Sequence, residues 1–273
     1  METITTFNGI QGNVNGNYIF VNPQNSKMEG SKITFHGTGN VLFVEDGVNL
    51  SNSTIGFQGS NSIVYLSKNR HIYYVNISIN HNSTVYLGKN CYFNGKMTIV
   101  ASEQQNIIIG DEGLFSFGIF IRTADPHLIY DGITKKRINP SRSVLIGDHI
   151  WLGQNALILK GSVIGSGAII GGNAVLSNKR IPSNTSVAGN PARIIKHDVF
   201  FSAECVHAWT DEMTEKYETM DTDKYIYHPS SDTVDMKLID EELKNAGSGT
   251  ERLDIIKEKL AEYTKKDRFY IDK

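Results

Sequence analysis

The chain is expected to fold as an all-β parallel solenoid with a protruding loop and a helical C-terminal tail, and three observations predict it. The first is a six-residue rhythm: Ile146, Leu152, Ile158, Ile164, Ile170 and Leu176 are all branched aliphatics. The second is a mostly small residue four positions after each of the first five, at Ile150, Ala156, Ser162, Ala168 and Ala174. The third is glycine directly after the aliphatic, at Gly147, Gly153, Gly165 and Gly171. One large apolar residue in six fills an interior, a small one lets the chain turn a corner, and glycine permits close backbone approach. Three such faces make a triangular coil of about 18 residues that buries its inside only when stacked on its neighbours. An amphipathic helix needs apolar residues at three- and four-residue steps, which this segment lacks.

Weaker copies lie upstream. Ile109, Phe115 and Ile121 keep the step, with Gly113 and Ile119 at the second position; Leu87, Phe93 and Ile99 do so with Cys91 and Met97. Val44 and Leu50 start an earlier set, followed by Val48 and Thr54. The wider spacing from Val44 to Leu66, Leu87 and Ile109 implies short insertions at corners, where Asn, Ser and Gly crowd as turn chemistry requires. Between Ile121 and Ile146 the rhythm is broken, and roughly 122–141 must leave the coil as a loop. The repeat ends at Ser177, and Gly189-Asn190-Pro191 punctuates an extended exit segment. Helices are expected at Val206–Tyr217, Asp235–Asn245 and Glu251–Tyr263, the last with Thr250 as its N-cap. The last two are amphipathic and are expected to pack as a hairpin. The organisation read from this is a solenoid over 1–197 and a mainly helical extension over 198–273.

Bulk properties fit this. The 40% hydrophobic and 21% charged residues describe a globular protein with a substantial core. No apolar stretch approaches the ~18 residues of a membrane span, and the first residues lack the features of a signal peptide, so a cytoplasmic location is expected. Cys91 and Cys205 show neither disulfide nor metal-ligand spacing, and Cys91 reads as a core residue. The net charge of −2 hides a split: residues 1–197 hold 16 Lys/Arg against 10 Asp/Glu, whereas 198–273 hold 11 against 19. A basic body favours anionic ligands such as nucleotide phosphates. The aromatic interleaving of a single-strand nucleic-acid binder is absent.

Three segments, Ile146-Gly147-Asp148-His149-Ile150-Trp151-Leu152-Gly153, Ser186 to Lys196 around Gly189-Asn190-Pro191-Ala192-Arg193, and Asp125-Pro126-His127, resemble the hexapeptide-repeat acyltransferases. Within that family the likeness is to bacterial sugar and polysaccharide O-acetyltransferases. It is strong over about 107–197, loose over 40–106 and absent from the acidic tail. The resemblance implies a left-handed coil, a homotrimer, and acetyl-CoA lying between subunits. The family's catalytic histidine falls on His127, with Asp125 beside it, and its tryptophan on Trp151. Its cofactor contacts fall on Trp151, Gly153, Gly172, Ser177, Lys179, Arg180, Arg193 and Lys196. The turn Ser177-Asn178-Lys179-Arg180 is one residue longer than the family's, which shifts that part of the correspondence by one position.

The chemistry is consistent with these assignments. A hydroxyl attacks a thioester only once its proton is taken, and histidine suits that task near neutral pH. Asp125 either orients the imidazole or forms a turn before Pro126. Trp151 precedes an interior aliphatic and should point outward. Arg122, Tyr130, Lys135, Lys136 and Arg137, in and beside the loop, are candidates for binding an acceptor, and their charge favours an anionic carbohydrate such as a sialic-acid-containing capsule. N-acetylation of an amino sugar would use the same base. A zinc carbonic anhydrase needs convergent histidines, for which no close pair exists, so no metal is expected. A non-catalytic scaffold would leave the loaded loop unexplained.

Overall fold

The computed structural model describes residues 2–273. The predicted interior aliphatics from Ile146 to Leu176 are all fully buried, as are Ile150, Ala156, Ala168 and Ala174 at the corners. Strand pairing explains the rhythm, because Ile146 aligns in parallel with Ile164, Leu152 with Ile170, and Ile158 with Leu176. Each side chain therefore stacks on its equivalent one coil further on. Glycine after the aliphatic has a steric cause: a Cβ on Gly153 would lie 2.6 Å from the backbone nitrogen of Gly172 in the next coil.

Three faces result. Among the described residues, the first face has eight strands, from Glu2–Ile4 to Val175–Leu176; the second has nine, from Gly12–Val14 to Arg180–Ile181; the third has six, from Tyr92–Phe93 to Arg193–His197. The chain visits them in the order second, third, first. All pairings are parallel except at the ends, where Glu2–Ile4 and the hairpin at Gly12–Phe20 close one end and the hairpin Thr185–Ala188 with Arg193–His197 closes the other. These antiparallel closures cap edges that would otherwise offer free backbone groups to other chains.

The N-terminal coils are wider. Ile77 aligns with Ile55 and Ile99, a step of 22 residues in each direction. Their first-face strands carry two interior positions, Ile77 and Ile79 in one coil and Ile55 and Phe57 in another, all buried. Aromatic rings fill the extra width: Phe35 stacks on Phe57 at 4.6 Å, and Phe93 meets both Tyr73 and Phe115 at 5.3 Å. Corner asparagines Asn52, Asn61, Asn82, Asn155 and Asn173 have positive φ, a conformation Asn tolerates better than other residues with a side chain. One expectation is corrected. Thr54 is half-buried, and Ser53 is the buried corner residue, its hydroxyl donating to the Tyr73 carbonyl at 3.1 Å. That corner is one residue shorter than six-residue counting assumes.

The tail packs on the outside of the second face. Helix α1 spans Asp211–Lys216, α2 Met236–Asn245 and α3 Gly249–Ile256, the last continuing as a π-helical turn to Ala261. Met236, Ile239, Leu243, Leu253, Ile256 and Leu260 bury themselves against outward residues of that face, among them Val41, Ile63, Tyr65, Tyr86, Ile108 and Leu145. Each such side chain is worth about 1.5–3 kcal/mol when fully buried. The sequence carries a signal of this cover: Ile63–Leu66, Thr84–Leu87 and Ile107–Ile109 are nearly all apolar, the mark of strands buried on both faces. The N-cap of α3 is Ser248 rather than Thr250; its hydroxyl accepts from Glu251 N at 3.1 Å while the Glu251 carboxylate accepts from Gly247 N. The region expected to be helical from Val206 breaks at Trp209 and Thr210 into a 3-10 turn and α1. Among the described residues, no helix is long and apolar enough to cross a membrane.

Candidate active site

The interruption of the repeat is a braced hairpin. Arg122 still belongs to the strand Phe120–Arg122, and Arg142 N donates to Thr123 O at 3.0 Å, so the excursion spans 124–141. Its arms pair antiparallel: Ile138 N donates to Ile129 O and Asp131 N to Lys136 O, both at 2.9 Å, with Tyr130 opposite Arg137. The Asp131 carboxylate closes the tip by accepting from Ile133 N at 3.1 Å and Thr134 N at 2.6 Å. Those bonds, the Thr134 amide first, hold its carboxyl below the ordinary range.

The base of the hairpin is held by side chains. Buried Asn139 donates to His127 O at 2.8 Å and to Asp125 Oδ2 at 3.1 Å, and accepts from Ile129 N at 2.8 Å. Lys160, one coil further along, places Nζ 2.5 Å from Asp125 Oδ2 and 3.3 Å from Asn139 O. The Lys160 bond is the main reason the Asp125 carboxyl lies below its usual range. Arg137 forks onto Glu103 in the strand-side turn, where Ser141 also bonds; together, Arg137 first, they hold Glu103 down to about 2. The backbone on both sides of His127 is thus fixed, while its imidazole is exposed and bonds no described residue. A rigid support with a free ring is what a general base awaiting a substrate proton requires.

The other candidates divide between two sides of the prism. On the edge between first and second faces, Arg142 donates to Asn178 Oδ1 at 2.6 Å, so Ser177, Lys179 and Arg180 stand in the column above the hairpin. Arg180 donates to Asp272 O at 2.9 Å, which ties it to the tail. Arg122 lies over the Phe120 ring at 5.9 Å, and Lys135 donates to Gly132 O within the tip. Tyr130 is exposed, and Lys136 projects from the arm. Trp151, Gly153, Gly172, Arg193 and Lys196 belong to the third face and its corners. Trp151 points outward as expected, 38% exposed, between Leu114 and Ile169 in the adjacent coils. Beside it, buried His149 lies between the rings of Phe201 at 4.1 Å and Tyr225 at 4.5 Å, with Nε2 3.0 Å from Phe201 O. Burial lowers its pKa, so the ring is neutral near pH 7.

The bacterial transferase hexapeptide family (six repeats) matches residues 143–178. A polysialic acid O-acetyltransferase of Neisseria meningitidis is 37% identical over 179 residues, covering 65% of this chain and 82% of that protein. The chain belongs to the hexapeptide-repeat acyltransferases. A polysialic acid O-acetyltransferase of Escherichia coli O1:K1 / APEC is 40% identical over 103 residues, covering 38% of this chain and 33% of that protein. The crystal structure of the polySia-specific acetyltransferase NeuO superposes with a TM-score of 0.62 at 29% identity, over 74% of this chain and 93% of that one. OatWY, a polysialic acid O-acetyltransferase, gives 0.62 at 25% identity, over 74% and 95%. The coil is therefore the left-handed β-helix of this family, and the protein is an acyltransferase.

Within one copy of the acyltransferase, Asp125 does not reach the His127 imidazole; its carboxylate is committed to Lys160 and Asn139. Arg137 is likewise committed to Glu103. Sequence reasoning missed Lys160 and Asn139. The legible sign of Lys160 is a charged residue at a coil corner, two positions after the interior Ile158. If Asp125 acts as a brace, Asp125→Asn should lower kcat about tenfold to a hundredfold through misplacement of the hairpin. The same loss should follow from Lys160→Met, since Lys160 holds Asp125 and Asn139 O and makes no bond to the imidazole. Steady-state rates for both variants check this, and a normal rate for Lys160→Met would return Asp125 to an imidazole partner.

Proposed function

We propose that this acyltransferase transfers an acetyl group from acetyl-CoA to a hydroxyl of an anionic bacterial surface polysaccharide of the polysialic acid class. His127 is the general base in this reading. The supporting observation is the hairpin that fixes His127's backbone and leaves its ring free, in a chain whose relatives bear that activity in name. The imidazole takes the proton from the sugar hydroxyl as the oxygen attacks the thioester carbonyl carbon. The C–S bond then breaks, and the imidazolium returns the proton to the departing thiolate. Transfer is direct. Arg193 and Lys196, exposed on the third-face end strand, suit coenzyme A phosphates, as does Lys179. Residues 1–197 form the catalytic domain and 198–273 an extension. Use of acetyl-CoA assigns the enzyme to the cytoplasm.

The site is composite in a homotrimer. The tail covers the second face, whereas the other two carry outward apolar columns: Phe120, Leu157 and Val175 on the first, Leu114, Trp151 and Ile169 on the third. Packing the first face of one copy on the third face of the next closes a threefold ring. That arrangement brings the His127 edge of one copy alongside the Trp151 face of another, uniting the two residue sets.

The purified enzyme, given acetyl-CoA, should release thiol with polysialic acid and leave an alkali-labile ester on the polymer. Raising salt should slow that reaction more than the reaction with a neutral glycan. Acetylation of amino sugars alone would replace this reading with N-acetyl transfer. Replacing Arg193 or Lys196 with Ala should raise KM for acetyl-CoA several-fold with kcat nearly unchanged. An unaltered KM would remove both from the phosphate site.

A further inference from the structure

The stretch 202–224 is held at its neck and, next to it, by Lys266 Nζ donating to Asp223 O at 2.8 Å. Asn184 bonds both ends: its Nδ2 donates to Val199 O at 3.1 Å and Tyr225 O at 2.8 Å, and its Oδ1 accepts from Tyr227 N at 2.7 Å. The His149 ring then stacks between Phe201 and Tyr225, pinning the two sides together. From Ser202 to Thr222 the anchoring stops. No residue from 202 to 224 is buried, and α1 contributes no buried side chain. From Ser202 to Thr222 the hydrogen bonds are local, such as Met213 N to Thr210 Oγ1 and Glu204 N to Ser202 Oγ. Yet the stretch is ordered by its own Trp209–Tyr217 stack at 4.8 Å, and it exposes Val206 and Met213. Its charge is one-sided, with seven carboxylates (Glu204, Asp211, Glu212, Glu215, Glu218, Asp221, Asp223) against Lys216 and Lys224.

A surface of complementary character exists elsewhere on the molecule. The His127 hairpin exposes Leu128, Ile129, Ile133 and Ile138, with Ile133 91% exposed at the tip, beside Lys135 and Lys136. Its own copy offers nothing to cover these residues, because neck and hairpin leave the prism from different edges. The neck lies where the second face meets the third, and the hairpin where the first meets the second. When the first face of one copy packs on the third face of the next, these edges flank the same outer cleft.

We propose that segment 202–224 is an intersubunit strap that docks on the His127 hairpin of the neighbouring copy and closes the composite site from outside. The inference rests on the trimeric reading above. Acidic side chains of the strap meet Lys135 and Lys136, and Val206 and Met213 cover the hairpin's aliphatics. Charge complementarity of this kind fixes partner and register.

Cys205 makes the contact measurable, since it is exposed on the strap while Cys91 is buried. An Ile133→Cys enzyme treated with a short bismaleimide should give covalent dimers and trimers on a denaturing gel. Those bands should vanish with Cys205→Ser and should not form when the new cysteine is placed at exposed Asn8 instead. Glu212→Lys with Glu215→Lys should reduce crosslinking about tenfold, and adding Lys135→Glu with Lys136→Glu should restore it. Light scattering on the uncrosslinked protein separates the two levels of the argument. A trimer that forms no intersubunit crosslink, or only an intramolecular one, overturns the strap and leaves the trimer standing. A monomer overturns both.

Discussion

His127→Ala is expected to lower kcat by roughly 10²–10⁴-fold, with the thermal unfolding midpoint unchanged. The structure separates these two outcomes. Stability of the hairpin comes from Asn139, Lys160, Asp131 and the Arg137–Glu103 fork, none of which involves the imidazole. The side chain is exposed and no described residue bonds it, so its removal leaves neither a cavity nor an orphaned partner. The hairpin backbone stays in place because the bond from Asn139 goes to the His127 carbonyl. The whole loss should therefore appear in the chemical step, with little change in KM for acetyl-CoA, since His127 is not among the residues proposed for the coenzyme A phosphates. Stopped-time assays beside a melting curve decide the matter. Turnover within about threefold of the unaltered enzyme would take the base role from His127.

Much of this site is legible in the amino-acid sequence, and the reasons differ by residue. The interior ladder from Ile146 to Leu176 is readable because stacking makes each coil repeat the same steric demand. His127 is readable because a loop inside such an array has to break the rhythm. Relations between residues distant in sequence are not. Asp125 pairs with Lys160 across 35 residues, and nothing in a local pattern distinguishes that from an Asp turned toward His127. Arg137 counts in the sequence as a free cation, but its charge is met by Glu103, 34 residues earlier. His149 carries no local sign of its environment, because Phe201 and Tyr225 reach it from the tail. The Gly-Asp pair at 147–148 signals family likeness and nothing more in the sequence. Gly147 is explained by the next coil, where a Cβ would lie 2.7 Å from Ser166 N, and Asp148 by the tail.

Arg268→Met should destabilise the protein by roughly 3–5 kcal/mol, the cost of leaving a buried charge without its partner. Arg268 is 1% exposed, and its guanidinium makes four hydrogen bonds and a second ion pair. Nε and Nη2 fork onto Asp148 at 2.8 and 2.7 Å, Nη2 also lies 3.0 Å from Asp111, and Nη1 donates to Leu260 O and Tyr263 O. One side chain thereby joins two coils of the solenoid to the end of the tail. Burial pushes the Asp148 carboxyl upward, and Arg268 is the main group pulling it back. Without Arg268 the folded-state pKa of Asp148 rises further above its unfolded value of about 3.9. Between those two values the folded state holds a proton that the unfolded state has lost, so stability declines as pH rises through the folded pKa. The deficit of Arg268→Met relative to the unaltered protein should then shrink as pH is lowered from neutral towards the unfolded value of about 3.9. Adding Asp148→Asn should remove that pH dependence. Denaturant titrations at several pH values measure both effects, and limited proteolysis should show the tail cut first, since α2 and α3 lose their fixed end. A deficit that is constant across this pH range would mean that Asp148 is not left as an uncompensated charge, and the latch would then be a matter of packing alone.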